Sequence, residues 1–138
     1  TDTFSGNGTA TAKYITRRVT LDNNFASSGL TVFLDINRPA GTSIEVYYKV
    51  LNQNDVNNFD LNPYVKMNPI LAPGSGLTIT GLTDYTSDMY QALNISYNDL
   101  TTGTLYNNFN VFAIKVVFYS SNPAIAPQIK NFRAVATA

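Results

Sequence analysis

The chain carries nine acidic and nine basic side chains, and has no histidine and no cysteine. Eight of the acids are Asp, and Glu45 is the single Glu. Without His or Cys, neither a Ser–His–Asp nor a Cys–His nucleophile–base pair can be assembled. Glycoside hydrolysis asks for two facing carboxylates. Here most Asp residues lie in turn-like stretches, where Asp bends or caps the backbone, while Asp35 and Glu45 lie on the polar sides of alternating segments. The glycine-containing stretches Gly74-Ser75-Gly76 and Gly6-Asn7-Gly8 lack the Lys and the strand–helix context of a phosphate loop. No catalytic residue is assigned, and the chain is not expected to be an enzyme.

Two kinds of binding chemistry are written more plainly. Asp22-Asn23-Asn24, and Asn52, Asn54 and Asp55 with Asn57, Asn58 and Asp60, are oxygen-rich. A calcium ion takes six to eight oxygens, several from carboxylates. These loops share that composition but not the spacing of a calcium loop, so they are read as turns held by local side-chain hydrogen bonds, and no cofactor is expected. Sugar-binding sandwiches present aromatic rings beside amides and carboxylates. The chain has nine Tyr and no Trp, and Tyr64, Tyr85, Tyr90, Tyr97 and Tyr106 fall in or near loops. Asn-X-Ser/Thr sequons stand at Asn7 and Asn94.

The elements that position these residues follow period two almost throughout. Strands are expected at 13–21, 30–36, 44–51, 64–70, 77–82, 89–97, 109–119 and 128–136. Turns or loops are expected at 22–24, 38–41, 52–62, 73–76, around Gly103 in 98–108, and at Asn122-Pro123. In the second strand Leu30, Val32, Leu34 and Ile36 face inward, against Thr31, Phe33 and Asp35. After the turn at Arg38, Pro39, Ala40 and Gly41, Ile44, Val46, Tyr48 and Val50 alternate with Glu45, Tyr47 and Lys49. Phe112, Ile114, Val116 and Phe118 make the apolar face of the strongest strand. Together with Ile44, Val46 and Tyr48 they are expected to form one core. The one alternative to strand is a short helix over 86–93, capped by Ser87, with Met89 and Leu93 four apart. The fold class is therefore all-β, an antiparallel β-sandwich of jelly-roll type with about eight strands and little or no helix.

A chain of 138 residues suits one domain. The segment 1–12 reads as a linker and 13–138 as a single sandwich, together the C-terminal part of a longer protein. Charged residues are 13% of the chain, about half the usual share. The formal net charge is zero and no basic run exceeds Arg17-Arg18. Nucleic acid is thereby disfavoured, because binding it by phosphate neutralisation needs a basic patch. No apolar run approaches the roughly 20 residues that span a bilayer, so no membrane insertion is expected.

Several blocks have a family likeness. Lys13 to Thr16, Arg38 to Thr42 with Val46 to Lys49, Phe112 to Val116, and Pro127 to Ala134, in this order and spacing, resemble the C-terminal region of virion structural proteins of tailed phages, especially T4-like myoviruses of marine cyanobacteria. The stretch 71–104 matches less well. The resemblance implies a virion location and a non-catalytic module of tail, baseplate or neck, acting in assembly or host contact. Its partners would be other virion proteins or copies of itself. It transfers no catalytic residue. Arg38 and Arg133 recur in the blocks and are expected to anchor a turn and to pair with a carboxylate, respectively. The alternative, of a different class, is a carbohydrate-binding adhesin or module that contacts a host-surface glycan. Docking on partners predicts a contiguous outward apolar patch built from Phe33, Tyr47, Val111 and Val117. Sugar binding predicts coplanar Tyr rings flanked by Asn or Asp.

Overall fold

The computed structural model describes residues 3–4, 8–21, 26–37, 42–55, 59, 62–70, 86–120 and 128–137, with backbone only at 3–4, 8–12, 70, 86–87 and 120. Among them the protein is all-β and antiparallel, and the two larger sheets enclose one core. The strands are β1 (Thr3–Phe4), β2 (Gly8–Ile15), β3 (Val19–Thr20), β4 (Gly29–Asn37), β5 (Thr42–Leu51), β6 (Val65–Lys66), β7 (Asn68–Ile70), β8 (Thr86–Ala92), β9 (Tyr97–Asn98), β10 (Leu105–Tyr106), β11 (Val111–Ser120) and β12 (Gln128–Thr137). Five of these are only two residues long, which is why the described strands outnumber the eight expected.

One sheet runs β1-β2-β11-β5-β6, with β3 also on β11; the other runs β12-β4-β8-β7, and β9 and β10 form a separate hairpin. Consecutive long strands go to opposite sheets, and the two last strands return to the first ones. Strand β11 inserts between β2 and β5, and β12 pairs with β4. The register of β11 on β5 places Phe112 beside Val50, Ile114 beside Tyr48, Val116 beside Val46 and Phe118 beside Ile44. The alternating face read from the sequence thus becomes one wall of the core. Ile44, Val46, Phe112, Ile114 and Val116 are buried in it, and Tyr48 and Phe118 are half-buried against it. The other wall is Leu30, Val32, Leu34 and Ile36 of β4 with Tyr90 of β8. Each such side chain stabilises by about 1.5–3 kcal/mol on burial.

Among the described residues, Met67 and a ring pair bridge the two open sides. On one, β6 and β7 belong to different sheets, and only Met67, fully buried, lies between them. Its amide donates to the Val46 carbonyl (2.8 Å). On the other side Tyr14 of β2 meets Phe132 of β12 edge to face, with ring centroids 5.6 Å apart.

Four expectations are corrected. The first strand begins at Gly8, inside the segment read as linker, and β1 pairs back on it. The continuous strand expected over 13–21 breaks at 16–18. There the Thr16 amide donates to the Ile114 carbonyl (2.9 Å) and the Ile114 amide donates to Thr16 Oγ1 (3.0 Å). The strand expected at 64–70 is two strands in two sheets. The strand expected at 89–97 is β8, shifted toward the N-terminus and ending before Asn94, whose φ of 52° turns the chain. The same β8 excludes the helix considered over 86–93. Its period-two pairing with β4, Tyr90 beside Val32 and Met89 beside Phe33, overrides a weak helical spacing. The turn at 38–41, the loop at 73–76, the strand at 77–82, the turn at 22–24 and Asn122-Pro123 lie outside the described residues.

Candidate functional site

Two places gather polar and aromatic side chains. The first is the outer face of the β2-β11-β5-β6 sheet, built by the alternate residues of the strands that line the core. Glu45 is its centre. Its Oε1 accepts hydrogen bonds from the hydroxyls of Tyr47 (2.6 Å) and Tyr119 (3.0 Å), and its Oε2 lies 2.8 Å from Lys66 Nζ. Burial by itself would raise the Glu45 carboxyl. The bonds from Lys66, Tyr47 and Tyr119 and the Lys66 charge outweigh it and hold the group below its ordinary value of 4.5. The Tyr47 phenol is pushed well above 10.0, by burial first and then by donation to Glu45 and the Glu45 charge.

From this clamp a run of cations and rings crosses the sheet. Lys115 Nζ lies 4.7 Å from the Tyr47 ring and 4.6 Å from the Tyr64 ring. Lys49 Nζ lies 4.9 Å from Tyr64 and 4.7 Å from Phe59, and the Arg18 guanidinium lies 5.8 Å from Phe59. Quadrupole attraction of ring faces for cations accounts for the order. A shallow groove of about 450 Å³, lined by Ile15, Arg18, Lys49, Phe59 and Tyr64, runs along it.

The second place is the edge of the same sheet beyond β6. Strand β6 covers β5 only at Tyr47 and Tyr48. Past that point the Asn62 side chain substitutes for a strand, its Nδ2 donating to the Val50 carbonyl (2.7 Å). The β9–β10 hairpin lies alongside. Asp99 shapes its turn: Oδ1 accepts the amides of Thr101 (2.5 Å) and Thr102 (3.0 Å), and Gly103 takes a φ of 75°, which glycine adopts without strain. Tyr97 ties the hairpin down, its hydroxyl accepting from the Asn52 amide (2.8 Å) and donating to Asp55 Oδ2 (2.8 Å). Between these parts is a pocket of about 170 Å³ that includes Tyr48, Asn62, Val65, Ile95, Ser96 and Leu100 in its lining. Burial alone raises the Tyr48 phenol, which has no hydrogen-bond partner among the described residues.

The residues singled out by the sequence divide accordingly. Tyr90 is core, Tyr64 lies between two lysines on the sheet face, and Tyr85 is outside the described residues. Tyr97 and Tyr106 do come together, with centroids 5.5 Å apart, beside Asn54, Asp55 and Asn108. Their planes are inclined by 35°, so they are not the coplanar pair that sugar binding predicted. Of the oxygen-rich loop, Asn52 Oδ1 accepts the Asn54 amide (2.9 Å) and the Asp55 amide donates to the Asn52 carbonyl (2.9 Å), which is turn chemistry, while the Asp55 carboxylate takes a long-range bond from Tyr97. Asn57, Asn58, Asp60 and the 22–24 stretch are outside the described residues. Among the described residues no group of three or more His, Cys, Asp or Glu could hold a metal ion. Asn94 is exposed; Asn7 and Arg38 are outside the described residues.

The expected apolar patch does not form. Val117 is fully buried, with Glu45 and Lys13 beside it in register. Phe33 is half-buried, with the Arg133 guanidinium 4.4 Å from its ring. Arg133 therefore meets an aromatic face and not the carboxylate expected. Tyr47 is half-buried beneath Lys115, and Val111 is half-buried. Two pocket residues are not legible as such in the sequence. Alternation places Tyr48 in the core, where its ring does pack, and does not disclose that it also lines the pocket. Asn62 carries no sequence signal beyond lying in a loop.

Comparison with known proteins gives no matching family model, no matching curated protein and no matching solved structure. The arrangement is that of an all-β sandwich whose one Glu is held by two phenols and an ammonium group.

Proposed function

We propose that this domain is a non-catalytic structural module of a phage virion, placed in tail, baseplate or neck and acting in assembly or host contact. The observation that carries this reading is where the recurring blocks fall. Lys13 to Thr16, Val46 to Lys49 and Phe112 to Val116 belong to neighbouring segments of one sheet, with Lys115 beside both Ile15 and Tyr47, and Val116 beside both Tyr14 and Val46. The block that ends the chain falls, from Gln128, in β12 at the edge of the other sheet. These blocks thus build the frame and contribute Tyr47, Lys49 and Lys115 to its cation–aromatic face. The clamped Glu45 supports a non-catalytic role, since a carboxylate held by three donors is a poor proton shuttle.

The test is mass spectrometry of purified particles from a phage encoding the chain. It should be present in fixed copy number relative to the other particle proteins. Its absence from the particles would overturn the reading. The second reading, a carbohydrate-binding adhesin, is favoured by one observation, the pocket with an unbonded phenol at Tyr48.

A further inference from the structure

We propose that the pocket beside Tyr48 and Asn62 holds one neutral, hydroxyl-bearing six-membered ring, a single pyranose unit of a glycan. The inference rests on the carbohydrate-binding reading and supplies its site.

Size comes first. An apolar cavity of about 150 Å³ accepts benzene. The volume here is about 170 Å³, of the same order, which gives room for one six-membered ring. The space exists because β6 stops after two residues and leaves the β5 edge open at Lys49 and Val50.

Lining chemistry narrows the occupant. Val65, Ile95 and Leu100 offer apolar surface for the C–H face of a ring, while Tyr48, Asn62, Ser96 and Asn98 bring hydroxyls and amides. Most of that polar capacity is unspent. The Tyr48 hydroxyl, the Asn62 Oδ1 and the side chains of Ser96 and Asn98 make no hydrogen bond among the described residues, and Asn62 uses only its Nδ2. Ser96 and Asn98 are exposed at the mouth, and Asn62, with 6% of its surface exposed, lies deeper. A pocket that alternates apolar surface with unpaired donors and acceptors suits a ring that is apolar on its face and polar at its rim.

Charge settles neutrality. Among the described residues Lys49 is the single charged residue in the lining, and its ammonium lies on the opposite face of the sheet, over Phe59 and Tyr64. Among them no other ammonium or guanidinium lines the pocket to pair with a uronic acid or a phosphate.

The test is an NMR titration of the isotope-labelled 138-residue chain with glucose, galactose, mannose and N-acetylglucosamine, and with glucuronate and cyclohexanol as controls. One neutral sugar should give saturable shifts at Tyr48, Asn62 and Leu100, with a dissociation constant on the order of 1 mM, as a single small ring allows. Tyr48→Phe keeps the core ring and should weaken binding about tenfold. Leu100→Trp, at a rim residue that is 57% exposed, should block the mouth and abolish binding while the fold persists. The proposal is overturned if no sugar shifts these residues, or if neither substitution changes the affinity. It is equally overturned if cyclohexanol binds more tightly than every sugar or glucuronate binds as well as the neutral rings. The particle test and this titration fail independently of each other.

Discussion

The two faces of the β5–β11 pair are made of alternating residues on the same two strands, yet they exclude water by different means. The inner face does so with Ile44, Val46, Ile114 and Val116 pressed against β4. The outer face has no second sheet among the described residues. Yet Val117, Tyr119, Glu45 and Lys49 are buried there, with Glu45 bonded to Tyr47 and Tyr119 and Lys49 set against the rings of Phe59 and Tyr64. Val116 and Val117, neighbours pointing to opposite faces, are both 0% exposed. Alternation of apolar and polar residues therefore does not mean alternation of buried and exposed. A polar face becomes a buried layer when its charges and hydroxyls satisfy each other, because an unpaired buried group costs about 1–3 kcal/mol and a paired one does not.

The largest test of that contrast is Ile114→Ala. It should cost about 2–5 kcal/mol in urea unfolding, since it opens a cavity at the centre of the inner face. A loss below about 0.5 kcal/mol would mean that Ile114 is not at that centre.

Next come Val116→Ala and Val117→Ala, side by side. Both should cost on the order of 2 kcal/mol. If only Val116→Ala is costly, the outer face is not a buried layer and the contrast reverts to core against solvent.

The clamp supplies a smaller, pH-dependent effect. Because the folded carboxyl of Glu45 titrates below its ordinary 4.5, its contribution is fully present above that value. It is lost as pH falls through 4.5 and then through the lower folded value. Glu45→Gln should flatten the acid limb of stability measured against pH and leave the inner face intact by NMR. The phenols of Tyr47 and Tyr97 are raised, so the folded state keeps their protons beyond 10.0, where the unfolded state loses them. Stability should decline as pH climbs above 10.0, and phenolate absorbance should show at least these two tyrosines titrating late. Tyr119→Phe, which removes one donor from Glu45, should cost about 1 kcal/mol near neutral pH.

Smallest of all is Lys115→Met, which keeps the aliphatic stem and removes the cation between Tyr47 and Tyr64. A cost of about 0.5–1 kcal/mol is expected by thermal melting. No change at all would reduce the run of cations and rings to coincidental proximity.

By itself, the sequence determined the all-β class, the inward sets Leu30 to Ile36 and Ile44 to Val50, and the matching face of Phe112 to Phe118. Those readings need only the pleat, a local property in which residues two apart share a side. It also determined the turn at Asn52 to Asp55, because Asn52 accepts the Asn54 amide on its side chain and the Asp55 amide on its carbonyl, both local bonds. Tertiary structure decided the rest. The split of 64–70 between two sheets at Met67 depends on which edges were left open by β5 and β8. Burial of Val117 and the seating of Arg133 on Phe33 depend on neighbours that are far away in the chain and adjacent only after pairing. The pocket at Tyr48 exists because β6 is short and Asn62, 12 residues downstream of the Val50 carbonyl it caps, fills only part of the gap. Such features are set by non-local burial and by which edge a strand finds, and neither is written in the period of the residues that experience them.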